Sequence, residues 1–176
     1  MSSSTILKIG ALVRRDGADV DALVADFARS LTERGWRVRG LVQEMQQEAN
    51  GCVVSLVDLE NGQIRPITQS LGAHSASCCL DPSAIADASA VLRKIVVEGA
   101  DLAIFNRFSA LEAGGGGFQA EMLALMAEGI PSLTIVPEKH LAVWRDFTGG
   151  LGSELAATRE SLELWFETTA NPLGTK

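Results

Sequence analysis

The sequence predicts an α/β domain in which a mainly parallel sheet has helices on both faces, giving three layers. Three almost continuous apolar runs, over residues 6–13, 101–106 and 130–136, have the pattern of strands that are covered on both sides. Segments with helical spacing alternate with them, and such alternation is typical of parallel sheets. With 176 residues, of which 47% are hydrophobic, we expect one domain over residues 1–176.

The first strand is followed by a polar loop and then by a helix. Asp19 is a natural N-cap, and apolar residues from Val20 to Leu31 recur at helical spacing. Gly35 is expected to end this helix, and residues 36–42 read as the next strand.

An antiparallel hairpin extension is predicted to follow. Strands over residues 52–59 and 63–68 flank the dipeptide Asn61-Gly62, which is a strong signal for a tight hairpin turn. Pro66 lacks a backbone N–H, so the second of these strands is expected at a sheet edge.

The remaining elements alternate again. Asp81-Pro82 predicts the start of a helix that runs to about Gly99, with proline at its first position. Further on, a glycine-rich loop leads into a helix over roughly residues 118–129. Ser153 is expected to cap the last helix.

Composition excludes several classes of protein. The formal net charge of −7 argues against a general nucleic-acid binder, and no apolar run is long enough to span a bilayer. Three cysteines, two of them adjacent, do not form a disulfide framework, and residues 1–5 do not read as a signal peptide. We therefore expect a cytoplasmic protein without a membrane or nucleic-acid partner, and without a metal site.

The candidate site lies where parallel sheets bind ligands, beyond the carboxyl ends of the strands. Loops 14–19, 106–118 and 137–150 are expected there, and they carry arginines and a run of glycines. Guanidinium groups and free backbone N–H groups suit a phosphate or another oxyanion. The predicted ligand-binding residues are Arg14, Arg15, Asp16, Asn106, Arg107, Gly114, Gly115, Gly116 and Gly117, together with Ser70 and Ser75 from a loop rich in hydroxyl groups.

Two other interpretations of these residues stay open at this stage. Arg107 could instead form a structural salt bridge, with Glu112 or Asp16 as its partner. Trp144 and Phe147 could stack on a base at the rim of the site, or pack as a lid on the core.

The loop after the first strand does not contain the phosphate-binding motif G-x-x-x-x-G-K-[ST]. The order of parts nevertheless resembles the thermophilic-type P-loop nucleoside-triphosphatase family, through residues 39–43, the hairpin at 58–62 and the segment 101–118. In that family the last segment holds an Asp-Glu pair that positions magnesium and water. Asn106-Arg107 stand at the matching positions, so the resemblance implies a P-loop-type fold with degenerate nucleotide motifs.

A closer resemblance is to a bacterial family of domains of unknown function, number 2478. It rests on five groups of residues along the chain, namely Arg14-Arg15-Asp16-Gly17 with Asp21-Ala22-Leu23, Gln69-Ser70-Leu71-Gly72 with Cys79-Leu80-Asp81, Asn106-Arg107-Phe108, Glu112-Ala113-Gly114-Gly115-Gly116, and Trp144 with Phe147-Thr148-Gly149-Gly150. Members of this family tend to be named nucleoside-triphosphatases by analogy of fold. Some are associated with molybdenum-uptake genes, and the resemblance implies such a link here.

Three functions are compatible with the sequence. The first is binding, with little or no hydrolysis, of an anionic small molecule such as a nucleotide or molybdate, in an accessory or regulatory role. The second is a magnesium-dependent nucleoside-triphosphatase with atypical residues, in which Asp16 or Asp19 would hold the metal and Glu112 would act as base. The third is a protein-interaction module without a ligand. Such a module could form a homo-oligomer through the hairpin edge.

Overall fold

The computed structural model describes residues 8–15, 19–49, 51–69 and 79–170. Its strands are β1 (Ile9–Arg14), β2 (Val38–Glu48), β3 (Gly51–Asp58), β4 (Ile64–Pro66), β5 (Thr68–Gln69), β6 (Cys79–Leu80), β7 (Leu102–Arg107), β8 (Ser132–Pro137) and β9 (Ser153–Leu155). Its helices are α1 (Val20–Glu33), α2 (Pro82–Glu98), α3 (Ala110–Ala113), α4 (Gln119–Ala127), α5 (Leu141–Thr148) and α6 (Arg159–Ala170). One turn of 3-10 helix, Glu138–His140, joins β8 to α5.

Seven strands form the main sheet in the order β4-β3-β2-β7-β8-β1-β9. The pairs β2–β7, β7–β8, β8–β1 and β1–β9 are parallel, whereas β3 pairs antiparallel with both β2 and β4. The sheet is therefore mainly parallel with an antiparallel extension, and the predicted α/β fold class is confirmed. Among the described helices, none is long and apolar enough to cross a membrane.

Helices cover both faces of this sheet. On one face, Leu12 of β1 and Ile104 of β7 pack in a core cluster with residues of α1 and α6. On the other, Ala11 and Phe105 from the same two strands pack with residues of α2, α4 and α5. Because neighbouring residues of a strand point to opposite faces, almost every position of the central strands is buried, as their apolar runs predicted.

The caps predicted for α1 and α2 and the predicted hairpin are present. Asp19 accepts a hydrogen bond from the backbone N–H of Ala22 at 3.2 Å, and α1 begins at the next residue. Asp81 caps α2 in the same way, through the N–H of Ser83 at 2.9 Å. Gly62 takes the left-handed conformation in the hairpin turn, and β4 lies at the edge of the sheet.

The prediction that Ser153 caps the last helix is wrong. Ser153 begins β9, which pairs in parallel with residues 10–12 of β1 and extends the sheet by one strand. Thr158 caps α6 instead, because its hydroxyl accepts a hydrogen bond from the N–H of Ser161 at 3.2 Å. Ser153 and Thr158 both carry a hydroxyl and both precede residues with helical spacing. What distinguishes Ser153 is that it lies in a strand paired with β1.

Candidate functional site

A cleft of about 730 Å³ opens at the carboxyl ends of β1, β7 and β8, which are neighbours in the middle of the sheet. All three loops that the sequence predicted for the site contribute to its wall. The residues that line it are Arg14, Arg15, Arg107, Ser109, Ala110, Pro137, Glu138, Lys139 and His140. The structure thus brings together the three arginines of the predicted site and adds Lys139 to them.

Arg107 ends β7, and its side chain is mostly buried, with 15% of its surface exposed. Its guanidinium forms an ion pair with Asp21, in the first turn of α1. This partner differs from Glu112, which the sequence offered as a candidate. The other sequence candidate, Asp16, lies outside the described residues.

Asn106 precedes Arg107 in a left-handed conformation, with φ of 66°, and it is 8% exposed. Short polar side chains tolerate this conformation better than most. The pairing of β7 with β8 shifts here, so that Ile104 faces Leu133 while Arg107 faces Ile135. Such an irregularity changes the direction of the side chains that follow it, and Arg107 lines the cleft.

Glu112 is 3% exposed and accepts three hydrogen bonds at the start of α3. Their donors are the N–H and the hydroxyl of Ser109, at 2.9 and 2.7 Å, and the N–H of Phe118, at 3.2 Å. Its carboxylate oxygens therefore hold the loop together in a capping box.

None of the four glycines of residues 114–117 lines the cleft, and the last of them, Gly117, lies against the carboxylate of Glu112. A Cβ added to Gly117 would stand 2.2 Å from Oε1 of Glu112, so glycine is required for the loop to close. The structure gives this run a local role and does not bring it together with the arginines.

The remaining predicted residues have different surroundings. Nε of Arg15 lies 3.7 Å from Oε1 of Glu138, and both side chains are exposed. Trp144 is 1% exposed and packs edge-on against Phe108 in the core, so it does not present its face to the cleft. Ser70 and Ser75 lie outside the described residues.

A magnesium–triphosphate group does not fit the described part of this site in the P-loop manner. Phosphates bind at helix N-termini through free backbone N–H groups, and at α1 one of these, the N–H of Ala22, donates instead to the carboxylate of Asp19. The P-loop resemblance implies a pair of carboxylates at the end of β7, and carboxylates are what magnesium prefers. Asn106 and Arg107 stand there instead, with an amide and a guanidinium. In the described ranges, no three His, Cys, Asp or Glu side chains are grouped as metal ligands.

Besides the three predicted arginines, six further residues line the cleft, namely Ser109, Ala110, Pro137, Glu138, Lys139 and His140. All six belong to segments that the sequence places at this edge of the sheet, and the charge of Lys139 could have marked it. Asp21, which contacts Arg107, stood out in the sequence only through the family resemblance, because an acidic residue in the first turn of a helix is common for reasons of helix stability alone.

Comparison with a solved structure shows that this mainly parallel sheet with its helices has a P-loop nucleoside-triphosphatase-like α/β fold. The solution structure of a human cancer-related nucleoside triphosphatase superimposes with a TM-score of 0.62, covering 94% of this chain and 97% of that one at 18% identity. At that identity the likeness shows the fold alone. Residues 9–165 match the family described as protein of unknown function DUF2478, and the chain belongs to that family.

A curated relative adds a second comparison. Over 166 residues the chain is 38% identical to molybdenum import ATP-binding protein ModC 2 of Bradyrhizobium diazoefficiens. The match takes in 93% of this chain but 18% of that protein, so this chain spans less than a fifth of the relative's length.

Proposed function

We propose that the cleft binds a small anion, with little or no hydrolysis, through Arg14, Arg15, Arg107 and Lys139. The observation that carries this proposal is that four basic side chains from three strand ends line one cleft. The chain as a whole has a net charge of −7, so these residues form a local exception to its acidic balance. A fixed group of cations at the edge of a sheet favours an anionic ligand.

The charges in the described part of the site favour a compact dianion. Four positive side chains stand against two negative ones, Glu138 and Asp21, and leave a formal charge of +2. A tetrahedral oxyanion such as molybdate or sulfate would be neutralised by that charge. A nucleoside triphosphate carries more negative charge than this formal charge of +2 would neutralise.

We infer an accessory or regulatory role linked to molybdenum. A protein that is named for molybdenum import contains a segment 38% identical to this chain, and that segment is a small part of its length. A binding domain of this size could serve such a system by sensing or delivering the oxyanion. Molybdate is therefore the first ligand to test.

Isothermal titration calorimetry with molybdate, tungstate, sulfate, ATP and GTP tests the proposal. We expect saturable binding of the oxyanions to the wild type. Arg14→Gln removes one cation of the cleft and should weaken molybdate binding about tenfold, the equivalent of about 1.4 kcal/mol. Arg29→Gln is the matched control, because Arg29 is exposed on α1 and pairs with Asp26 away from the cleft.

Two results would contradict the proposal. The absence of saturable binding of any of these ligands at millimolar concentration would show that the cleft is not an anion site. Equal weakening by Arg14→Gln and Arg29→Gln would show that binding follows overall charge and does not occur in the cleft.

A further inference from the structure

The ion pair between Asp21 and Arg107 joins α1 to the wall of the cleft. Arg107 lines the cleft, and the carboxylate that contacts it belongs to the same chain. The exposed fractions of the two side chains are 15% for Arg107 and 25% for Asp21, so water screens their interaction only partly. The chain itself thus supplies an anion to a mostly buried arginine of the proposed site.

This internal contact is incomplete. An arginine and a carboxylate can form two parallel hydrogen bonds, but here one guanidinium nitrogen, Nη2, contacts Oδ2 of Asp21. Nε of Arg107 and Oδ1 of Asp21 are both buried, and neither has a hydrogen-bond partner among the described residues. The ion pair therefore leaves one donor of Arg107 and one acceptor of Asp21 unsatisfied, and it does not saturate the guanidinium.

We propose that Asp21 is an internal competitor that limits anion binding at Arg107 and determines which anions the cleft accepts. The inference rests on the proposed function, since it concerns the same cleft. The carboxylate occupies part of the guanidinium and repels any anion that approaches it. A compact dianion can share Arg107 with Asp21, whereas an anion of higher charge suffers more repulsion.

The position of Asp21 supports its role as a competing anion that is held in place. It lies in the first turn of α1, where the positive end of the helix dipole stabilises a carboxylate. Arg107 is held opposite by the shifted register at the end of β7. Both partners are therefore fixed by backbone elements, and the competition does not depend on a mobile loop.

Calorimetry on the whole chain with inorganic sulfate and pyrophosphate tests this inference. Asp21→Asn keeps the shape of the side chain and removes its charge, and it should tighten sulfate binding about tenfold and pyrophosphate binding still more. Asp26→Asn is the matched control, because Asp26 lies on the same helix but pairs with Arg29, whereas Asp21 pairs with Arg107. Adding Arg107→Gln to Asp21→Asn should abolish the gain.

The possible outcomes separate this inference from the proposed function. If the wild type binds sulfate and Asp21→Asn binds it equally or more weakly, Asp21 only positions Arg107, and the inference is overturned while the anion site stands. An equal gain in Asp26→Asn would also overturn it, because any lost negative charge would then suffice. If no variant binds either anion, both the site and the inference fail.

Circular dichroism checks that each variant is folded. Should Asp21→Asn not fold, Asp21→Ser provides the same measurement, because serine is well tolerated at the start of a helix.

Discussion

The carboxylate of Glu112 accepts hydrogen bonds from two backbone N–H groups and one hydroxyl, all in the loop between β7 and α4. The side chain of glutamine has one oxygen acceptor, so Glu112→Gln leaves at least one of these donors, from Ser109 or Phe118, without a partner. An unsatisfied buried donor costs about 1–3 kcal/mol. We expect urea unfolding to show a loss of stability of that size.

Glu128→Gln is the control for this change, because Glu128 is exposed and its substitution should alter the free energy of unfolding by less than about 0.5 kcal/mol. Equal stability of wild type and Glu112→Gln would show that the capping box does not stabilise the loop. A large loss identifies Glu112 as a structural residue, in contrast to the catalytic base that the sequence allowed.

At the level of single residues, the sequence predicted the site in part. The arginines could be predicted because each stands at the carboxyl end of a buried strand. In a parallel sheet the carboxyl ends of the strands lie at the same edge. The sequence did not indicate what the glycines of residues 114–117 lie against, since a run of glycines accommodates a ligand or a neighbouring side chain equally well. Here that neighbour is Glu112, whose burial no local pattern indicates.

At the level of elements, apolar runs, caps and the hairpin dipeptide predicted most of the fold, because each is a local requirement of the backbone. β9 was missed because it has three residues and depends on pairing with β1, which is far away in the sequence. The sequence also predicts a loop over residues 137–150, but most of these residues form α5 over Leu141–Thr148, so this prediction is wrong.

Two helices on one face of the sheet, α1 and α6, are joined by Glu163. Its carboxylate accepts hydrogen bonds from Arg34, at 2.9 Å, and from Arg159, at 3.1 Å. Burial raises the pKa of Glu163, but the hydrogen bonds and charges of the two arginines outweigh it and hold the pKa below its ordinary value. At pH 7 we expect Glu163→Gln to destabilise the protein by less than about 1 kcal/mol, measured by urea unfolding.

The pH dependence of this effect follows from the direction of the shift. A carboxylate whose pKa is lower in the folded state stabilises the fold fully above its unfolded pKa of about 4.3 and loses that contribution as the pH falls through the folded value. The difference between wild type and Glu163→Gln should therefore shrink below about pH 4. Glu167→Gln, exposed on the same helix, is the control for the loss of one negative charge. A pH-independent difference between wild type and Glu163→Gln would contradict this assignment.

For the molecule as a whole, an anion that binds only the folded state must raise the stability of the entire domain. At a free concentration of about 100 times Kd the gain is about 2.7 kcal/mol, which for a chain of this size raises Tm by about 5–10 °C. Molybdate also screens the repulsion within a chain of net charge −7, so part of any rise could come from ionic strength alone.

Thermal unfolding in molybdate and in sodium chloride of equal ionic strength separates these two effects, and we expect the rise in molybdate alone. If Arg14→Gln binds about tenfold more weakly, the same molybdate concentration is about 10 times its Kd and stabilises by about 1.4 kcal/mol, which is half the wild-type gain. Arg29→Gln should keep the full rise, because Arg29 pairs with Asp26 and does not line the cleft. Equal rises in both salts, or in both arginine variants, would assign the stabilisation to screening and not to the cleft.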